Sequence, residues 1–167
     1  AVGPMASFAS LKERPSHVID GKGALLLPGH VIGHSHIYSA FARGIRMKNF
    51  APRTFTQRLR QYWWPIDRAY DADACFHSAR VCGIEYLKSG VTTVFDHHAG
   101  GTIRGSLDAI RQGLVEELGL RGLLCFETSD RFDTEDCIRE NAAFAAENKG
   151  NGRCRGMFGL HASLTLC

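Results

Sequence analysis

The chain has no Cys-x-x-Cys pair, no block of like charge and no apolar run approaching the roughly 20 residues that span a bilayer. Each absence removes a class of function. Six cysteines, Cys75, Cys82, Cys125, Cys137, Cys154 and Cys167, are scattered through helical or strand-like stretches. That pattern excludes a zinc ribbon or disulfide scaffold and reads as reduced, mostly buried thiols of a cytoplasmic protein. Twenty Lys and Arg against 17 Asp and Glu give a formal charge of +3, dispersed too evenly for a nucleic-acid footprint. The longest apolar runs, around Ala24–Leu27 and Leu123–Phe126, leave no transmembrane helix and no membrane partner. The opening Ala1-Val2-Gly3-Pro4 carries neither an initiator Met nor the basic-then-apolar order of a signal peptide. The chain is therefore read as a piece of a longer one, with residues 1–23 the remnant of a flanking region.

What is present is an ordinary globular composition: 167 residues, 44% hydrophobic and 22% charged. A domain of that size buries roughly 68–70% of its unfolded surface and needs no structural metal to fold, so any metal site points to chemistry. After a polar lead from Lys12 to Ser16, the run Ala24-Leu-Leu-Leu-Pro-Gly-His-Val-Ile predicts a buried strand ending at Gly33-His34-Ser35-His36. The basic, aromatic stretch Tyr38–Tyr70 has only partial helical spacing and reads as a functional loop or lid containing short helices. Asp71 then caps a helix that stops at Gly90, Val91–Phe95 is a strand leading to Asp96-His97-His98, and Ser106–Leu118 is a second helix closed by Gly119. Leu120–Phe126 is a third strand, Asp133–Asn148 a third helix, and Met157–Leu160 a fourth strand leading to His161.

Strands and helices alternate, and each strand is a nearly continuous apolar run, which calls for a parallel α/β sheet covered by helices. Every strand ends in polar groups: His34 and His36, His97 and His98, Glu127 with Asp130, and His161. Chemistry gathered at the carboxyl ends of successive strands favours a TIM-type (β/α)8 barrel over a doubly wound sheet. Four strands are half of one, so residues 24–167 are expected to form a partial barrel, its first four βα units.

On a strand, residues i and i+2 share a side, so His34 and His36 can converge on one metal at about 2.0–2.1 Å while Ser35 points away. The plain alternative is two polar residues near a mouth. Two ligands do not complete a catalytic site, and His161 is either a third ligand or a substrate contact. His97 and His98 are adjacent, so at most one looks into a pocket. Trp63 and Trp64 either line the mouth or anchor the lid. Asp67 either reaches substrate or pairs with Arg68 or Arg60, and Arg131 is either an anion contact or a solvated loop residue.

Leu27-Pro-Gly-His-Val-Ile-Gly-His-Ser-His resembles the Pro-Gly-…-His-x-His opening of the amidohydrolase superfamily. Trp63-Trp-Pro-Ile-Asp-Arg-Ala, Val91-Thr-Thr-Val-Phe-Asp-His-His-Ala, Cys125-Phe-Glu-Thr-Ser-Asp-Arg and Gly159-Leu-His-Ala-Ser-Leu-Thr-Leu resemble, in this order, the SsnA-type aminohydrolases. The similarity runs over nearly the whole chain. His30 and Gly33 depart from the family's usual residues, and His30 is a stray candidate ligand.

The resemblance implies a metal-dependent hydrolase of non-peptide carbon–nitrogen bonds, an aminohydrolase or deaminase of a small cyclic substrate. It implies one divalent metal, zinc or iron, held by His34 and His36, with His161, His98 and Asp67 on the substrate side. The family's remaining metal ligands and its proton-transfer glutamate follow later strands, so the catalytic carboxylates are expected beyond residue 167 and this piece alone is expected to be inactive. Substrate, metal, and any homo-oligomer of the full-length protein are left open. Two alternatives stand beside this reading: a non-catalytic metal-binding or assembly half-barrel, and a dechlorinating or amide-hydrolysing member of the same branch.

Overall fold

A computed structural model describes residues 3–9 and 16–166; Cys167 and most of the polar lead lie outside the described residues. Among the described residues five strands form one parallel arrangement: β1 (His30–Ser35), β2 (Val91–His98), β3 (Arg121–Thr128), β4 (Cys154–Gly156) and β5 (Gly159–Leu160). β1 pairs with β2, β2 with β3, and β3 with β4 and then, one step further along, with β5. Chain order and spatial order coincide. A doubly wound sheet reverses its order at a switch point, whereas a barrel adds each strand beside the last.

The helices are α1 (Phe55–Arg58), α2 (Trp64–Arg68), α3 (Ala72–Lys88), α4 (Ser106–Arg111) and α5 (Thr134–Glu147). Asp71 caps α3 by accepting from the Ala74 N–H at 2.8 Å, and Asp133 caps α5 through the Asp136 N–H at 2.9 Å. The turns into β2 and β3 close on Gly90 and Gly119, at φ of 74° and 75°, a left-handed conformation that suits glycine. Strand alternation divides β2 cleanly: Val94, Asp96 and His98 are buried toward the helices, while Thr93, Phe95 and His97 face the other side. Val94, Leu124 and Phe126 pack with Ala79, Leu107, Ile110 and Leu114 to make the core between sheet and helices.

Two features differ from the sequence reading. The strand begins at His30, and Leu25, Leu26 and Leu27 are exposed at 82%, 94% and 63%; pairing starts only where Val91 stands opposite His30. A strand needs a partner ladder, and an apolar run does not supply one. The fourth strand is also split in two, and Phe126 of β3 sits opposite the break. Buried Asn141 of α5 fills it, accepting from the Phe126 N–H at 2.8 Å and donating to the Phe126 carbonyl at 2.9 Å. No helix among the described residues is long and apolar enough to cross a membrane.

The stretch expected to be a lid is a short 3₁₀ segment, Ile37–Ala42, followed by helix from Phe55 to Arg68 with a wide π turn at Leu59–Trp63. In that turn the Trp64 N–H reaches back five residues to the Leu59 carbonyl. Pro65 follows at once and has no N–H to give to the ladder, so the register resets beside it.

Candidate metal and substrate site

A cavity of about 580 Å³ opens at the carboxyl ends of β1, β2, β3 and β5. The lid helix gives it one wall, with Phe55, Leu59, Trp63 and Asp67 recurring every fourth residue along one face and Trp64 beside them. The strand ends give the opposite wall: His34, His36, His97, Glu127 and His161.

His34 and His36 converge as strand geometry requires, their Nε2 atoms 3.1 Å apart. Ser35 turns the other way, its hydroxyl 2.5 Å from that of Tyr86 on α3. The His36 Nδ1 lies 2.9 Å from the His97 carbonyl oxygen, so Nδ1 carries the proton and Nε2 presents a lone pair. Two nitrogens each about 2.0–2.1 Å from one ion, meeting at roughly a right angle, stand about 3 Å apart. An Nδ1–H donated to a backbone carbonyl is also how metal-bound imidazoles are generally oriented. The pair therefore fits a divalent ion. Among the described residues no cluster of three or more His, Cys, Asp or Glu is arranged to hold one, and these two rings are the pair that converges.

His161 faces the same cavity. Its Nδ1 is 2.6 Å from the Thr165 hydroxyl, whose own proton goes to the Ala162 carbonyl at 3.0 Å. That hydroxyl must accept, so His161 carries its proton on Nδ1 and turns Nε2 inward. Burial pushes His36, His97 and His161 below the usual imidazole range; the hydrogen bond to the His97 carbonyl opposes it at His36, and the Arg131 guanidinium adds to it at His161. The rings are neutral donors and acceptors near pH 7.

Asp67 also reaches the cavity, but neither Arg68 nor Arg60 is its partner. Arg131 Nη1 lies 2.7 Å from Asp67 Oδ2, and both side chains are buried. The Arg131 guanidinium lies between the rings of Trp64 and Phe132, at 5.2 and 4.8 Å from their centroids. Arg131 is thus neither a solvated loop residue nor a free anion contact. Burial raises Asp67 to about 6, against the pull of Arg131.

His98 does not join the others. It is fully buried on the helix side of β2, its Nε2 3.4 Å from the Cys75 Sγ and its ring against Tyr38 and Phe126. Alternation along the strand gives the cavity to His97 instead, whose ring lies 4.6 Å from that of His34. His98 cannot contact a substrate there, and desolvation drops it to about 3. His30 is exposed at the start of β1 and lies away from the cavity.

The sequence placed Glu127 among the polar strand ends but assigned it no part in the site. It is 3% exposed at the end of β3, with Oε1 3.2 Å from the His36 Nδ1. Burial raises it to about 8, opposed by Arg131. Strand parity was the available signal: Glu127 lies two residues beyond Cys125, and Cys125 pairs with His97.

No family model matches the chain. It is 31% identical over 153 residues to a 5'-deoxyadenosine deaminase of Methanobrevibacter smithii, covering 89% of this chain and 33% of the relative. It is 28% identical over 160 residues to a 5-methylthioadenosine/S-adenosylhomocysteine deaminase of Thermococcus sibiricus, covering 93% and 35%. Among solved structures, an adenosine deaminase from Xanthomonas campestris with bound zinc superposes with a TM-score of 0.68 at 18% identity, over 84% of this chain and 31% of that one. An atrazine chlorohydrolase from Arthrobacter aurescens, complexed with zinc and atraton, gives 0.57 at 22% identity, over 80% and 34%. The chain spans about a third of the length of the curated relatives it matches.

Proposed function

We propose that this chain, a relative of the deaminases and hydrolases of the amidohydrolase superfamily, supplies the first metal ligands and one substrate wall of a hydrolase that releases an amine from a small cyclic substrate. Residues 24–167 are the N-terminal half of its barrel and residues 1–23 a flanking region. The hydrolytic activity belongs to a polypeptide in which these βα units are joined by the rest of the barrel. A cytoplasmic setting is part of the same reading, supported by free thiols at all five described cysteines.

One observation carries the proposal: His34 and His36 bring their Nε2 atoms to 3.1 Å, at the mouth of a cavity, with the His36 Nδ1 committed to a carbonyl. A divalent ion there, zinc foremost, supplies the acidity that makes water a nucleophile at neutral pH. The chain's own residues do the rest of what is assigned here. The aromatic lid wall of Phe55, Trp63 and Trp64 receives the flat face of a ring. His161 presents the lone pair of a neutral Nε2 to a substrate N–H, and Asp67, fixed by Arg131, closes the far end. The relatives' names point to adenosine-type nucleosides as the substrates to try first.

The test is zinc binding by the 167-residue chain, measured in competition with a chromophoric chelator. His34→Ala and His36→Ala are each expected to weaken binding at least tenfold; affinity equal to that of the unsubstituted chain would remove the ligand assignment. Ammonia release from aminopurines, pyrimidines and triazines, assayed on a longer polypeptide that includes this chain, then separates deamination from dechlorination or amide hydrolysis.

A further inference from the structure

Glu127 is a buried carboxylate to which no role in the site has been given. Its Oε1 lies 3.2 Å from the His36 Nδ1, and its Oε2 lies 3.7 Å from both the His161 Nε2 and the Arg131 Nη2. Oε2 has no hydrogen-bond partner and is closed off from solvent. Arg131 in turn holds Asp67 at 2.7 Å, so one connected string runs from the lid helix through β3 to the end of β1.

Stability does not explain such a residue. A carboxyl group taken out of water loses its hydration, and here it regains one near polar contact and two long ones with no hydrogen bond at Oε2, so an apolar side chain of the same volume would fold as well or better. The geometry favours another role. The His36 Nδ1–H is donated to the His97 carbonyl at 2.9 Å, and Glu127 Oε1 stands 3.2 Å from the same nitrogen without a hydrogen bond of its own, where its negative end favours the proton on Nδ1 and restricts the swing of the ring. The second oxygen of Glu127 stands 3.7 Å from the unprotonated inward nitrogen of His161, beyond hydrogen-bond reach, and 3.7 Å from the Arg131 guanidinium.

We infer that Glu127 is a positioning residue that keeps the proton of His36 on Nδ1, so aiming its Nε2 at the His34 Nε2, and that links this pair through Arg131 to Asp67. The inference rests on the metal-site reading above and extends it to a residue two strands away from the ligands.

Glu127→Met and Glu127→Gln test it, each compared with the unsubstituted chain for zinc affinity by chelator competition and for thermal unfolding by circular dichroism. Met keeps the volume and removes both carboxyl oxygens; Gln keeps an oxygen beside the His36 Nδ1. The expected result is 10- to 100-fold weaker zinc binding for E127M with an unchanged or raised Tm, and recovery to within about threefold for E127Q. Unchanged zinc affinity in E127M overturns the inference, as does a fall in affinity that follows a fall in Tm in both variants. If the unsubstituted chain binds zinc no better than H34A, the metal-site reading fails instead. Metal-free spectra then decide the role of Glu127 on their own. Long-range ¹H–¹⁵N correlation is expected to show His36 as a single Nδ1–H tautomer in the parent chain and in E127Q, and as a mixture in E127M; a single tautomer in E127M overturns it.

Discussion

The carbonyl of His97 accepts the Nδ1–H of His36 at 2.9 Å, while the ring of His97 lies 4.6 Å from that of His34. One residue of β2 thus braces both rings of the β1 pair, by its backbone for one and by its side chain for the other. Its neighbour His98 points the opposite way.

That opposition gives a clean contrast. His98 is fully buried against Tyr38, Cys75 and Phe126, so His98→Ala opens a cavity and is expected to cost about 2–4 kcal/mol. His97→Ala removes a half-buried ring from the cavity wall and is expected to leave Tm within a few degrees while changing zinc affinity. Thermal melts and zinc titrations of the two variants check both halves.

The Asp67–Arg131 pair predicts an asymmetry. Arg131→Met leaves the Asp67 carboxylate buried without its partner, at an expected cost of about 3–5 kcal/mol. The double substitution D67N/R131M removes the stranded charge and is expected to recover part of that loss. Chemical denaturation of the single and double variants measures it, and equal destabilisation by both would contradict the prediction.

Asp96 gives a pH signature. Fully buried, it accepts from the Ile37 N–H at 2.7 Å, and desolvation raises it to about 7 from an ordinary value near 3.8. Between those values the folded chain keeps a proton that the unfolded chain has released, so this group's contribution to stability falls as pH rises from about 4 to 7. His98 works in the other direction: lowered to about 3, it adds stability that is present above 6.5 and is lost as pH falls. The Tm of Asp96→Asn relative to the parent is therefore expected to climb between pH 4 and 7 and then level off. A flat difference would show that Asp96 titrates normally.

Asn141 supplies the hydrogen bonds that the break between β4 and β5 leaves open at Phe126. Asn141→Ala strands a buried N–H and C=O and is expected to cost about 2–3 kcal/mol. Hydrogen exchange at the Phe126 amide should accelerate in the variant; unchanged protection would mean that water replaces the side chain there.

The residues also show how much of this was legible beforehand. Capping by Asp71 and Asp133, the glycine stops at Gly90 and Gly119, and the convergence of His34 with His36 follow from interactions within a few residues, so the sequence reveals them directly. Period-two alternation likewise shows that only one of His97 and His98 can enter a pocket. It does not say which, because that depends on the face of the strand that receives α3. The exposed run Leu25–Leu27 misled for the same reason: strand formation is decided by a partner ladder, and hydrophobicity alone does not provide it.

Local order, strand succession and the spacing of the paired histidines were thus determined by the sequence, through short-range backbone and side-chain chemistry. The tertiary structure alone decided that His97 belongs to the cavity, that Arg131 pairs with Asp67 across 64 positions, and that Glu127 stands between His36 and His161. Those contacts depend on how sheet and lid pack in three dimensions, and burial, which sets their charges, exists only once that packing has formed.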